Sequence, residues 1–224
     1  MKQIKIFDLK FNKKEISFFL NHSKNIFNEG FFTNHTYVKK FEKEFSRSNK
    51  SRYALSTSSG TSALEIILRA LDIKKKNVLV NSNTFIATGH AITNAGGKII
   101  PIEIENKHFM MDPKDLEKKI KRNTGAVVIV HIGGIITPHI FEIKRICKKF
   151  KVPLIEDAAQ AHGSKYKNIY AGNFGDAGAI SFFTTKVMTT GEGGMITTNS
   201  HKFYKKFYSL RQFGFTKNKL KHNK

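Results

Sequence analysis

Residues 125–159, GAVVIVHIGGIITPHIFEIKRICKKFKVPLIEDAA, decide the fold. GAVVIVHI is a continuous apolar run, as expected of a strand buried on both faces. PHIFEIKRICKKF carries apolar residues at helical spacing, and VPLIEDA is again a short apolar strand. Strand, helix and strand in that order make a parallel crossover with the helix lying on the sheet.

The same alternation extends in both directions. Upstream lie the strand RYALST, the helix TSALEIILRAL, the strand NVLVN, the helix FIATGHAITNA and the strand GKIIPIEI. DPKDLEKKIK is a helix with Asp112 as N-cap and Pro113 at the first helical position. VKKFEKEF is helical further back, with Val38, Phe41 and Phe45 on one face. Downstream, AGAISFF and GGMITTN are two more strands, and HKFYKKFYSL is a helix. The expected class is a three-layer α/β/α domain with a mostly parallel sheet. Its 224 residues are enough to bury a sizeable core.

The single cysteine, Cys147, rules out an internal disulfide and reads as a buried, inert thiol on the apolar side of its helix. The first 19 residues contain no apolar core of signal-peptide length, and no window approaches a membrane span of about 20 apolar residues. A soluble cytoplasmic protein is expected, with no membrane partner. The formal charge is +22, carried by 33 scattered lysines and only six arginines. Arginine is the usual choice for bidentate base and phosphate contacts, so solvated lysine faces explain the charge better than a nucleic-acid site. No residue is assigned as a metal ligand.

In an open α/β sheet, ligands bind at the carboxyl ends of the strands. Four segments fall there. Ser58-Ser59-Gly60-Thr61-Ser62 opens a helix, where free amides and the helix dipole favour an anion, or where a serine simply caps. Phe85, in Asn83-Thr84-Phe85, either stacks on a planar ring or joins the core. Glu156-Asp157 ends an apolar strand. A carboxylate there either caps a helix or meets a cation such as a protonated pyridine nitrogen, with Gln160 able to donate to a ring oxygen. Lys186 follows the strand that ends near Ser181, in a turn rich in Thr and Gly rather than on a solvated helix. A desolvated lysine amine is a nucleophile towards an aldehyde.

The stretches SSGTSALEI, NTFIATGHAI, VHIGG, EDAAQAHGS, GDAGAISFF and TTKVMTTGEGGMITTN, in this order and spacing over roughly residues 25–215, resemble the DegT/DnrJ/EryC1/StrS family. These are sugar aminotransferases dependent on pyridoxal 5′-phosphate (PLP), with the type I, aspartate-aminotransferase-like fold. The resemblance implies that Lys186 forms a Schiff base with PLP and that Asp157 pairs with the pyridine nitrogen. Gln160 would contact the ring hydroxyl and Phe85 would stack on the ring. Gly60, Thr61 and Ser181 would hold the phosphate, and Ser59 would also belong to the cofactor-binding set. The implied reaction transfers an amino group, with glutamate as expected donor, to a nucleotide-linked keto-sugar for surface-polysaccharide or deoxyaminosugar biosynthesis, in a homodimer. The related dehydratases carry histidine where this chain has Lys186, which disfavours that reading. A basic nucleic-acid-binding regulator is the remaining alternative. Thr184-Thr185-Lys186-Val187-Met188 departs from the Pro-Thr-Lys-Asn-Leu of many relatives and leaves the sugar open. The expected organisation is an N-terminal segment over 1–30, the PLP-binding large domain over 31–215, and a stub over 216–224 where a small C-terminal domain would begin. On that reading the chain is a fragment or a natural truncation that does not catalyse alone.

Overall fold

The computed structural model describes residues 9–215; the expected stub, 216–224, lies outside the described residues. The chain divides into two compact units, residues 1–41 and 42–224. The first contains α1 (Lys13–Glu29), which the apolar pattern alone does not announce. Its start is a capping box: the Asn12 side chain accepts from the Glu15 amide, and the Glu15 carboxylate accepts from the Asn12 amide. Gly30, in the left-handed region at φ 69°, ends it. None of its residues is buried. α2 (Thr36–Ser48) runs across the division and contains the expected VKKFEKEF helix.

The second unit alternates as the sequence predicts. β1 (Tyr53–Thr57), α3 (Gly60–Ala70), β2 (Asn77–Asn81), α4 (Ile86–Asn94), β3 (Lys98–Ile102), α5 (Pro113–Lys119), β4 (Thr124–Val130), α6 (Ile140–Lys149) and β5 (Leu154–Asp157) follow one another. A two-stranded hairpin, β6 (Lys165–Tyr166) with β7 (Ile169–Tyr170), precedes β8 (Ala177–Ser181), β9 (Gly194–Thr198) and α7 (His201–Arg211). The hairpin turn places Lys167 and Asn168 at φ 45° and 64°. Turns of that type need two such residues, and without a glycine this one carries no strong sequence signal.

The main sheet has the order β1-β9-β8-β5-β4-β2-β3. β8, β5, β4, β2 and β3 are parallel, and β9 is antiparallel to both its neighbours, β1 and β8. The carboxyl ends of β1, β2, β4, β5 and β8 therefore share one edge, with the start of β9. All of Ala126–Val130 is buried, as a strand covered on both faces requires. Ala63, Leu64, Ile67 and Leu68 of α3 and Ala91 and Ile92 of α4 pack on one core with Val78, Val80 and Val128. Ile140, Ile143, Ile146 and Cys147 give α6 its buried face. Burial pushes the Cys147 thiol up to about 12, so it is the inert core group the sequence predicts. No described helix is long and apolar enough to cross a membrane.

Candidate active site

Strand alternation sends the adjacent carboxylates of β5 in opposite directions. Glu156 is fully buried and accepts from the amides of Gly172 (2.7 Å), Phe174 (2.6 Å) and Gly175 (2.7 Å), with His131 Nε2 at 2.9 Å. It organises the 172–175 loop. Asp157, 6% exposed, faces a cavity of about 430 Å³ at the carboxyl edge of the sheet, a size suited to a cofactor.

Thr84 Oγ1 donates to Thr88 Oγ1 at 2.9 Å, and Thr88 Oγ1 donates to Asp157 Oδ2 at 2.7 Å. The Ala159 amide donates to Asp157 Oδ1 at 3.1 Å. Burial pushes the Asp157 carboxyl above its ordinary value. The bonds from Thr88 and Ala159 and the nearby His131 and Lys186 oppose that rise without cancelling it. No cationic side chain among the described residues reaches Asp157 at ion-pair distance. A buried carboxylate in that state gains from a bound cation, and a protonated pyridine nitrogen has the required charge and hydrogen. Asp157 is thus not a helix cap.

Lys186 is half-buried and lines the same cavity, held in its turn by its amide bonding to the Phe183 carbonyl at 2.9 Å. No carboxylate among the described residues pairs with it. His162 packs edge-on to Phe182, with ring centroids 5.4 Å apart. Burial holds its imidazole below the ordinary value; the Ser181 backbone opposes this and Lys186 adds to it.

The anion end is built at α3. Ser59 is the N-cap, its hydroxyl accepting from the Ser62 amide at 3.0 Å. The amides of Gly60 and Thr61 have no partner within the helix and belong to residues that line the cavity. A Cβ on Gly60 would lie 2.8 Å from Ser181 Cβ, and one on Gly194 would lie 2.2 Å from the Ser59 carbonyl oxygen. Only glycine lets the α3 entry sit this close to the ends of β8 and β9. These residues fit a phosphate on a helix N-terminus.

Phe85 is 61% exposed and lines the cavity, which removes the core alternative. Gln160 Oε1 accepts from the Gly133 amide at 2.8 Å, leaving the two Nε2 hydrogens as its free donors. All eight site residues expected from the sequence, Ser59, Gly60, Thr61, Phe85, Asp157, Gln160, Ser181 and Lys186, line this one cavity. Sequence reasoning missed Thr88, which orients Asp157, and His131, a fully buried wall residue whose Nδ1 has no partner among the described residues. The Thr84/Thr88 spacing, one helical turn after a strand end, is the one trace of the first.

The sequence pattern of the DegT/DnrJ/EryC1/StrS aminotransferase family matches residues 13–224. The chain is 40% identical over 172 residues to a GDP-perosamine synthase of Escherichia coli O157:H7, covering 75% of this chain and 46% of that protein. It is 38% identical over 172 residues to a UDP-4-amino-4,6-dideoxy-N-acetyl-β-L-altrosamine transaminase of Campylobacter jejuni, covering 75% of this chain and 45% of that one. The structure of NtdA from Bacillus subtilis with bound cofactor PMP superposes with a TM-score of 0.85 at 31% identity, over 93% of this chain and 47% of that one. The chain spans about half the length of the curated relatives it matches. With the three-layer fold and this set of residues at one sheet edge, the chain belongs to the DegT/DnrJ/EryC1/StrS aminotransferase family.

Proposed function

We propose that the protein to which this chain belongs is a PLP-dependent aminotransferase acting on a nucleotide-linked keto-sugar, with glutamate as amino donor. The observation that carries the reading is the meeting in one cavity, with the α3 anion site, of a buried Asp157 and Lys186, neither of which has an ion-pair partner among the described residues. When bound, PLP supplies an aldehyde that takes up amines and a pyridinium ring that absorbs the electrons of a broken C–H bond.

The chain's residues do the rest. Asp157 keeps a proton on the ring nitrogen, and Thr84 and Thr88 fix the carboxylate that does so. Lys186, whose side chain lines the cavity, would hold the cofactor through its Nζ and, when that amine is free, would serve as the base that moves a proton. Gly60 and Thr61 anchor the phosphate through their amides, with Ser59 and Ser181 beside them. Phe85 covers the ring and Gln160 Nε2 donates to its oxygen. Lys186 itself argues for amino transfer rather than sugar dehydration.

The substrate class follows the relatives, whose names include GDP-perosamine synthase and UDP-sugar and dTDP-sugar transaminases. The +22 charge gives a positive field suited to a nucleotide diphosphate. A cytoplasmic homodimer with its sites at the subunit interface completes the proposal. The test is the whole protein supplied with PLP, glutamate and nucleotide-linked keto-hexoses, with amino-sugar formation read by mass spectrometry. Glutamate-dependent amination supports the reading. No amination of any such sugar by PLP-loaded protein overturns it.

A further inference from the structure

Away from this cavity, a second group of chemistry-bearing side chains gathers between the loop that follows β3 and the start of α6. One ligand atom from each of Glu105, His108 and His139 lies within 4.8 Å of the others. The two imidazoles meet edge-on with centroids 6.0 Å apart, and His108 Nδ1 is 3.2 Å from Glu105 Oε1. Glu142 Oε2 is 3.7 Å from His139 Nδ1. A separate cavity of about 270 Å³ opens here, with Glu105, Asp112, Lys114, His139 and Glu142 in its wall, and Arg145 Nη2 lies 4.0 Å from Glu142 Oε1.

The geometry points to a Zn²⁺ site made by Glu105, His108 and His139, which staples the β3–α5 loop to the entry of α6. Two imidazoles and one carboxylate are a zinc-type donor set, and three protein ligands leave a fourth position for water. Zinc takes nitrogen at about 2.0–2.1 Å and carboxylate oxygen at about 2.0–2.2 Å, so donor atoms this close need only side-chain rotations to converge. All three residues are half-buried, which leaves an entry path. The amides of Lys107, His108 and Met110 donate to the Glu105 carboxylate, so the backbone sets the orientation of this ligand. The staple reaches the other site: the carbonyl of Phe109, in the same loop, accepts from Asn83 Nδ2 at 2.6 Å, two residues before Phe85.

The test uses the full chain, stripped with a chelator and kept free of PLP and phosphate. Titration with ZnCl₂ is followed by calorimetry, with MgCl₂ as the control. One Zn²⁺ per chain is expected, with no comparable Mg²⁺ binding. Replacing both histidines, His108→Ala with His139→Ala, weakens Zn²⁺ binding by roughly tenfold or more while PLP binding persists. On the unaltered chain, stoichiometric Zn²⁺ protects His108 and His139 from carbethoxylation and leaves the exposed His90 and His201 reactive. That footprint decides the matter if the double variant does not fold. Absence of saturable Zn²⁺ binding, undiminished binding in the folded double variant, or protection that bypasses His108 and His139 overturns the site.

Discussion

Thr88 Oγ1 lies 2.7 Å from Asp157 Oδ2 and donates to it, joining α4 to the end of β5 across 69 residues of sequence. The bond holds in place a carboxylate that burial disfavours. Thr88→Val keeps the shape and removes the donor. A hydrogen bond to a charged group is worth about 1.5–3 kcal/mol. PLP affinity should fall by a comparable amount, measured by absorbance titration, while Thr84→Val should cost less. Unchanged affinity in Thr88→Val would show that Asp157 is oriented by other contacts.

Asp157→Asn should stabilise the cofactor-free chain at neutral pH. The folded carboxyl titrates above its unfolded value, so the folded state keeps a proton that the unfolded state has released. The stability linked to that proton is fully present below the unfolded value and is lost as pH rises through the folded one. An amide does not ionise and escapes the loss. Denaturant unfolding should show the variant ahead at pH 7, with the gap narrowing as the medium is acidified. A variant less stable than the parent at pH 7 would contradict the sign. The same variant should bind PLP poorly and lose turnover in the whole protein.

Gly60→Ala tests the close approach of α3 to β8. Its new methyl would sit 2.8 Å from Ser181 Cβ and 3.2 Å from Ser181 Cα. Overpacking of this kind costs about 1–3 kcal/mol. The loss should appear in unfolding midpoints together with weaker binding of PLP, whereas pyridoxal without its phosphate should be affected less. Equal loss for both ligands would place the phosphate elsewhere.

Glu156→Gln addresses the other face of β5. The carboxylate accepts from three amides and faces His131. A glutamine amide has one acceptor oxygen and turns an NH₂ towards donors. An unsatisfied buried donor costs about 1–3 kcal/mol. Thermal unfolding should register a loss in that range, and hydrogen exchange should quicken at Gly172, Phe174 and Gly175. Wild-type exchange there would show that the loop is held by other contacts.

The parallel crossovers were legible because β4 is one apolar run and α3 and α6 show clean helical spacing; two-sided burial leaves that mark in a sequence. The gathering of the eight expected residues around one cavity was legible because they follow strand ends. α1 was not, although the Asn12/Glu15 capping box was a readable start: Phe18, Phe19, Leu20 and Phe27 are exposed and form no buried stripe. The β6–β7 turn was hidden because Lys167 and Asn168 take positive φ without glycine. Thr88 and His131 act through hydrogen bonds to residues far along the chain, and long-range pairing has no local pattern. The Glu105/His108/His139 cluster was missed for the same reason, since His139 reaches it from the N-cap of α6, far along the chain.

The central claim is that Lys186 carries the cofactor. Chain loaded with stoichiometric PLP is reduced with borohydride, digested, and mapped by mass spectrometry. The account predicts a pyridoxyl group on Lys186, with the remaining lysines at background and the label abolished in Lys186→Arg. A pyridoxyl group on another lysine with Lys186 unmodified, or label spread evenly over surface lysines, would contradict it.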